Sequence, residues 1–315
     1  MRFSLQSDLY AMENICTACG NPIPEDAPGA RCPACEFRRA LTNNDELEGQ
    51  TIGPYKIVER IGTGGFGVVY RATQTAPVRR SVAIKILKRD RLEEQVIARF
   101  VAEQQALAMM EHANIAKIHD AGETEWGTPY TVMECLQGVP ITAYCDKNFL
   151  EPNERVKIFR DVCLGVHHAH QKGIIHRDLK PSNILIIESD DQPIPKIIDF
   201  GVAKAIGRPL TNVTLDMPLG NVIGTPEYMP PEQARGDKDI DTRADIYALG
   251  VLLYELLTGT PPFSRKELHE EGMHAILRKI ETELPPSPSQ RLTSMDESVA
   301  QVAINRHIAP GALRK

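Results

Sequence analysis

Three groups of residues in this 315-residue chain have the types and spacing that chemistry needs. The first is made of thiols. Cys16-x2-Cys19 and Cys32-x2-Cys35 are two knuckles, each able to bring two thiolates to one ion from a tight turn. Together they read as a tetrahedral zinc site; the plainer readings are two local disulfides or four unbound thiols. The second group is a glycine loop, Gly62-Thr63-Gly64-Gly65-Phe66-Gly67-Val68-Val69. GxGxxG also marks dinucleotide sites, but there the third glycine opens a helix, and here Gly67 opens the strand-like Val68-Val69-Tyr70. Glycines between two strands let backbone N–H groups approach phosphates, although an ordinary glycine hairpin has the same pattern. On the next strand, Val82-Ala83-Ile84-Lys85 sets a lysine among apolar neighbours, where it needs an anion. A phosphate and a helix carboxylate both serve, and Glu103 is the best-placed carboxylate; a lysine facing water from an edge strand is the common alternative. The third group is His176-Arg177-Asp178-Leu179-Lys180-Pro181-Ser182-Asn183 followed by Asp199-Phe200-Gly201. Asp178 is a carboxylate that can accept a proton, and Asn183 and Asp199 offer hard oxygens of the kind Mg²⁺ takes. Singly, either aspartate reads equally well as a capping or turn residue.

The elements that must position these groups are strand-rich first and helical afterwards. Tyr55 to Ile61, Gly67 to Ala72 and Ser81 to Leu87 read as strands with β-branched residues and turns between them. Leu92, Val96, Phe100 and Leu107 recur at helical spacing and predict a helix from Asp90 to Glu111, with Asp90 as N-cap. Strand-like runs follow at Ile115 to Ala121 and Tyr130 to Glu134. Helices are predicted from Pro152 to Lys172 and over Asp245 to Leu257, the latter buried by its composition. Two lobes with a cleft between them follow from this order. Ahead of them, residues 1–12 read as a disordered tail, 13–38 as the loop-rich cysteine module and 39–54 as an acidic linker carrying Asp45, Glu46 and Glu48.

Composition narrows the function classes. With 42% hydrophobic and 25% charged residues, the chain is neither disordered nor fibrous. A net charge of -6 gives no overall attraction to nucleic acid or anionic lipid. The apolar run Ala248 to Tyr254 is far too short to span a membrane, and the N-terminus has no secretory core. Of seven cysteines, Cys16, Cys19, Cys32 and Cys35 cluster and Cys135, Cys145 and Cys163 scatter, which points to a reduced, cytoplasmic chain.

The glycine loop, the Val-Ala-Ile-Lys strand, the His-Arg-Asp loop and Asp199-Phe200-Gly201, in that order, resemble the protein-kinase signature set. From about Tyr55 onward the chain resembles a bacterial eukaryotic-like (Hanks-type) serine/threonine kinase, also in Gly224-Thr225-Pro226-Glu227-Tyr228-Met229 before Pro231-Glu232-Gln233-Ala234. The resemblance implies an α+β, bilobal protein-kinase fold, with N-lobe 55–136 and C-lobe 137–315, preceded by a small zinc ribbon. It implies ATP and Mg²⁺ as cofactors, besides structural Zn²⁺, and a protein carrying serine or threonine as substrate. Asp178 would orient the hydroxyl, Lys180 would neutralise the γ-phosphate, and Lys85 would pair with Glu103. Ile61, Gly62, Gly64, Gly65 and Gly67 would cover the nucleotide. Val69, Ala83 and Leu185 would sandwich the adenine, Met133 would be the gatekeeper, and backbone groups of Glu134 and Leu136 would read the base edge. His176 and Phe200 would belong to the stack that aligns the lobes, and Asp245 would anchor the catalytic loop. Thr225 would position substrate. Arg177 beside Asp178 marks kinases switched by phosphorylation, with Thr211 and Thr214 as sites of self-phosphorylation.

Two departures from the family pattern stand out. Ala-Pro-Glu reads Pro230-Pro231-Glu232. After Phe263, a Pro/Ser-rich stretch around Pro285-Pro286-Ser287-Pro288 reads as loop, and no counterpart of the family's last helices, with the arginine that pairs with Glu232, is legible; Arg291 is the nearest by wording. The C-lobe is therefore expected to lack its last helices, or the chain to be a piece of a longer kinase. The rival readings are a catalytically weak kinase-like scaffold and a zinc-dependent nucleic-acid binder. The second has only Arg31, Arg38 and Arg39 near the ribbon, so a structural or protein-binding ribbon is favoured.

Overall fold

The structure is a computed structural model, and it describes Cys16, Cys32, Cys35 and residues 47–64, 67–87, 108, 110–125, 127–190, 192–200, 225–237, 240–264, 273–294 and 298–308. The chain divides into a strand-rich unit, residues 1–91 with 122–130, and a helical unit, residues 92–121 with 131–315. This is the α+β plan expected from the sequence.

In the strand-rich unit, β1 (Thr51–Ile52), β2 (Tyr55–Thr63), β3 (Gly67–Gln74) and β4 (Arg80–Leu87) pair antiparallel in sequence order. With β5 (Ile118–Glu123) and β6 (Pro129–Glu134) the sheet order is β1-β2-β3-β4-β6-β5. Successive side chains on a strand point to opposite faces, so register assigns each residue a side. Val68, Tyr70 and Ala72 face Ile86, Ile84 and Val82 across the β3–β4 pair, and all six are buried. Burying each large apolar side chain contributes ~1.5–3 kcal/mol, so this face fixes the register. The sheet begins earlier than the sequence predicts. Leu47 is fully buried and Thr51–Ile52 pair with β2, both inside the segment read as linker. A two-residue strand is too short to show an alternating pattern.

In the helical unit, a small sheet joins β7 (Val139–Pro140), β8 (Ile184–Ser189) and β9 (Gln192–Ile197). The helices are α1 (Ile141–Lys147), α2 (Pro152–Gln171), α3 (Pro231–Arg235), α4 (Thr242–Thr258), α5 (Met273–Thr282), α6 (Pro288–Ser294) and α7 (Ser298–Asn305). Pro152 opens α2 behind a capping box between Glu151 and Glu154. Its buried residues Ile158, Val162, Val166 and Ala169 form one stripe. Gly165 lies in that stripe because a Cβ there would sit 2.8 Å from Ile197 Cδ1. Asp241 caps α4 by accepting from Arg243 N at 2.8 Å, and Gly259 ends it in the left-handed region at φ 82°.

Both ends of α4 are tied down. At its C-terminus Arg306 donates to the carbonyls of Leu257 (2.6 Å), Leu256 (2.8 Å) and Glu255 (3.3 Å). Cations suit this negative end of the helix dipole. Arg155 lies beside it and donates to Asp146 Oδ1 at 2.7 Å and to the Asn305 carbonyl at 2.6 Å. Each arginine is 1% exposed. Burial, with Arg155 adjacent, pushes the Arg306 guanidinium down to about 10, which still leaves it charged at neutral pH.

Among the described residues after Phe263 three helices, α5, α6 and α7, stand where last helices were expected to be lacking and a loop was expected around Arg291. Ser287 starts α6 as an N-cap: its Oγ accepts from Gln290 N at 3.3 Å, and Gln290 Oε1 accepts from Ser287 N at 3.0 Å. Arg291 on α6 donates to the Pro262 carbonyl at 2.5 Å. Upstream, Ile276 and Ile280 of α5 form a buried cluster with Met229 and Phe263. The readings made for the tail 1–12, for Cys19, Gly65 and Phe66, for the helix carrying Glu103, and for Thr211 and Thr214 lie outside the described residues.

Candidate active site

The His-Arg-Asp loop follows α2 and is held by one carboxylate from α4. Asp245 Oδ2 accepts from His176 N at 2.8 Å and from His170 Nε2 at 2.7 Å, and Oδ1 accepts from Arg177 N at 2.8 Å. Arg177 has φ 62°, a left-handed conformation that costs energy for a residue with a Cβ and needs this support. Burial alone would raise the Asp245 carboxyl, but the His170 hydrogen bond, with the nearby His176 ring and the two amides, holds it below the usual carboxylate range.

His176 connects this loop to the segment that runs from the end of β9 to Asp199. Its Nδ1 accepts from Asp178 N at 3.2 Å, so Nε2 carries the proton and donates to the Ile198 carbonyl at 3.0 Å. Its ring lies 4.7 Å from that of Phe200, as the stacking expectation requires. Asp199 itself has φ 57°.

Three of the predicted residues meet on the loop. Asp178 Oδ2 is 3.1 Å from Lys180 Nζ and accepts from Asn183 Nδ2 at 3.1 Å, while the same Nδ2 donates to the Asp178 carbonyl at 2.7 Å. Pro181–Asn183 forms a single 3₁₀ turn, with Asn183 N bonded to the Lys180 carbonyl at 3.0 Å. Because Nδ2 is committed to Asp178, the Asn183 amide oxygen is the atom turned to other ligands. The Asn183 carbonyl accepts from Ile198 N at 2.9 Å, placing Asp199 one residue beyond a bond to the same loop. A hard-oxygen pair of amide and carboxylate suits Mg²⁺. Thr225 and Asp178 line one small cavity with Arg177, Leu179 and Tyr228. The Arg177 Nε is buried without a hydrogen-bond partner.

The segment after β6 lies close to β8. A Cβ at Gly138 would fall 2.9 Å from Leu185 Cβ and 3.0 Å from the Ile186 carbonyl oxygen, so only glycine lets the two backbones approach. Met133, Glu134 and Leu136, all half-buried, precede Gly138 in the chain. In the strand-rich unit the glycine hairpin closes with Gly62 opposite Val69 and Gly64 N bonded to the Gly67 carbonyl at 2.9 Å. A Cβ on Gly67 would collide with the Ile86 carbonyl oxygen. Val69 pairs with Lys85 and Arg71 with Ala83, so Val69, Lys85 and Ala83 share the face opposite the apolar one. Ile61 is half exposed on β2.

Several residues escaped the sequence reading. His170 is the third donor to Asp245; its signal is a histidine on the inner face of α2 just ahead of the loop. Tyr228 donates a hydrogen bond to Glu255 of α4. Burial pushes the Tyr228 phenol up strongly and raises the Glu255 carboxyl. His112 and His168 stack with ring centroids 5.2 Å apart.

Two of these imidazoles make stability pH-dependent. Burial pushes His176 down despite the Asp245 charge, and partial burial with His168 and Lys196 nearby pushes His112 down. Unfolded, both rings take up protons below about pH 6.5. The unfolded state then binds more protons than the folded one, so stability falls as pH drops below that value toward the lowered folded values. Thermal melts should show a midpoint that declines from pH 7.5 to 5.5; a flat profile would contradict it.

Near the N-terminus the Sγ atoms of Cys16, Cys32 and Cys35 lie within 4.8 Å of one another, with Cys16 and Cys35 at 3.6 Å.

A glycine hairpin with a lysine on the neighbouring strand, and an Asp-Lys-Asn loop beside an Asp-Phe pair on a helical unit, define a protein kinase. The comparisons agree. The model of the protein kinase domain family matches residues 55–306. The chain is 34% identical over 301 residues to serine/threonine-protein kinase Pkn1 of Myxococcus xanthus, covering 92% of this chain and 42% of that one. It is 39% identical over 215 residues to serine/threonine-protein kinase PknB of Mycobacterium tuberculosis, covering 67% and 33%. The crystal structure of the Mycobacterium tuberculosis PknI kinase domain has a TM-score of 0.56 at 25% identity, covering 85% and 93%. This chain belongs to the protein kinase family, among the bacterial serine/threonine type. It spans less than half the length of these curated relatives.

Proposed function

We propose that this chain transfers the γ-phosphoryl group of ATP to serine or threonine hydroxyls of a protein substrate. The observation that carries the reading is the convergence of Lys180 and Asn183 on Asp178, each at 3.1 Å, in a loop fixed by Asp245. In the transfer the hydroxyl O–H bond breaks, its oxygen bonds to the γ-phosphorus, and the bond from that phosphorus to the bridging oxygen of ADP breaks. Asp178 orients the hydroxyl and takes its proton; Lys180 balances charge on the phosphoryl oxygens. Asn183 and Asp199 would hold Mg²⁺, which neutralises the phosphates. Val69, Ala83 and Leu185 would enclose the adenine, Glu134 and Leu136 would read its edge, and Lys85, paired with Glu103, would hold phosphate. The unpartnered Arg177 Nε favours a switch in which a phosphate on Thr211 or Thr214 binds there. The test is incubation of the purified chain with labelled ATP, Mg²⁺ and a basic protein. Acid-stable label on serine or threonine supports the reading; none, on substrate or on the chain itself, leaves a nucleotide-binding scaffold.

A second reading concerns the thiols. Four thiolates at Zn–S distances of about 2.3 Å stand about 3.8 Å apart in a tetrahedron, and Cys16 and Cys35 are already at 3.6 Å. We propose structural Zn²⁺ held by Cys16, Cys19, Cys32 and Cys35, in a module that binds protein or is purely structural. The purified chain should carry one zinc that Cys35→Ser loses and a thiol-blocking mercurial releases. A metal-free chain would overturn it. The unpaired Cys135, Cys145 and Cys163 fit a reducing cytoplasm.

A further inference from the structure

Lys196 of β9 is not among the transfer residues, yet it joins two parts of the nucleotide site. Its Nζ lies 3.3 Å from Glu134 Oε2, with the lysine side chain 15% and the glutamate 33% exposed. Glu134 is held twice more: its N donates to the Lys117 carbonyl at 2.8 Å, and its Oε2 accepts from Lys117 N at 3.3 Å. The side chain is therefore directed back toward β9. Lys196 stands directly opposite Leu185 in the β8–β9 pair. The next residue, Ile197, is locked on both sides: its N bonds to the Asn114 carbonyl at 2.8 Å and its carbonyl to Ala116 N at 2.9 Å. Two residues further on is Asp199.

We infer that Lys196 is a positioning residue for nucleotide, a strut that fixes the Glu134 backbone against the strand delivering Asp199. The inference rests on the kinase reading above, in which Glu134 meets the adenine edge. His112 also lies near Lys196, but burial, with His168 and Lys196 nearby, pushes that imidazole down, and Glu134 is the carboxylate at 3.3 Å from the Lys196 ammonium. His112 Nδ1 is occupied by Asn114 N at 3.1 Å. Without Lys196 a partly buried carboxylate loses its cation and turns toward water, taking with it the backbone it extends from.

The test measures ADP affinity by calorimetry, with and without Mg²⁺, and steady-state kinetics on the whole chain. Lys196→Met should weaken ADP binding about tenfold, the low end of what a lost charged hydrogen bond costs. The KM for ATP should rise in step while kcat changes less than twofold. Glu134→Gln should do the same, the double variant should be no worse than the worse single, and Lys196→Arg should restore binding. Unchanged affinity in Lys196→Met, additive losses in the double variant, or a fall confined to kcat would each overturn the strut. A wild-type chain that binds no nucleotide would instead remove the kinase reading, and the strut with it.

Discussion

Asp178→Asn abolishes most phosphoryl transfer: label incorporation falls about a hundredfold to ten-thousandfold, the range for removing a general base, and the melting temperature barely moves. The substitution is nearly isosteric. The Asn183 bond to the residue 178 carbonyl, at 2.7 Å, does not use the side chain and survives. So does the hydrogen bond from Asp178 N to His176. What is lost is the negative oxygen that Lys180 and Asn183 both address. An amide can accept a hydrogen bond from a substrate hydroxyl but cannot take its proton at neutral pH. Equal incorporation by wild type and variant, with ADP affinity unchanged, would mean that the chain binds nucleotide without using Asp178 for chemistry.

The second large effect is on stability and activity together. Asp245→Ala removes the acceptor for His176 N, Arg177 N and His170 Nε2 at once. A buried donor left unmade costs about 1–3 kcal/mol, so the variant loses roughly 3–5 kcal/mol after relaxation. That is a large share of the ~5–15 kcal/mol that holds an ordinary domain. The melting midpoint should fall by about 10 °C or more. Asp245→Asn keeps the shape and one oxygen but points amide hydrogens at N–H groups. It should fold, melt between wild type and alanine, and lose most transfer activity, because Arg177 relaxes from its left-handed conformation and Asp178 moves with it. Wild-type transfer in the asparagine variant would show that the loop holds itself.

The parts of this molecule that were legible in sequence are those whose partners lie close along the chain. The Asp178, Lys180 and Asn183 cluster closes within one 3₁₀ turn, so its spacing alone reports it. The strand faces of β3 and β4 follow from alternation. Structure around Arg291 was misread for a chemical reason: proline and serine in number suggest a loop, but Ser287-Pro288-Ser289-Gln290 is a capping box with proline at the first helical position. What stayed hidden spans long separations. Nothing local joins Glu134 to Lys196, or Arg155 to the carbonyl of Asn305. Glu134 and Lys196 sit in apolar runs that mark them as strand residues but name no partner.

The clamp on the C-terminal end of α4 has a consequence for how the protein is made. Arg306 reaches its carbonyl partners from the far end of the helical unit, and Arg155 meets Asn305 across a separation of 150 residues. A ribosome adds ~5–20 residues per second, so on the order of ten seconds pass between synthesis of His176 and of Arg306. Until Arg306 is made the catalytic loop lacks its complete anchor: α4 is absent for the first half of the interval and has an unsealed C-terminal end for the rest, and Arg155 lacks one of its acceptors. The helical unit therefore completes its fold only after Arg306 has left the ribosome, and the nascent catalytic loop stays incompletely anchored until then.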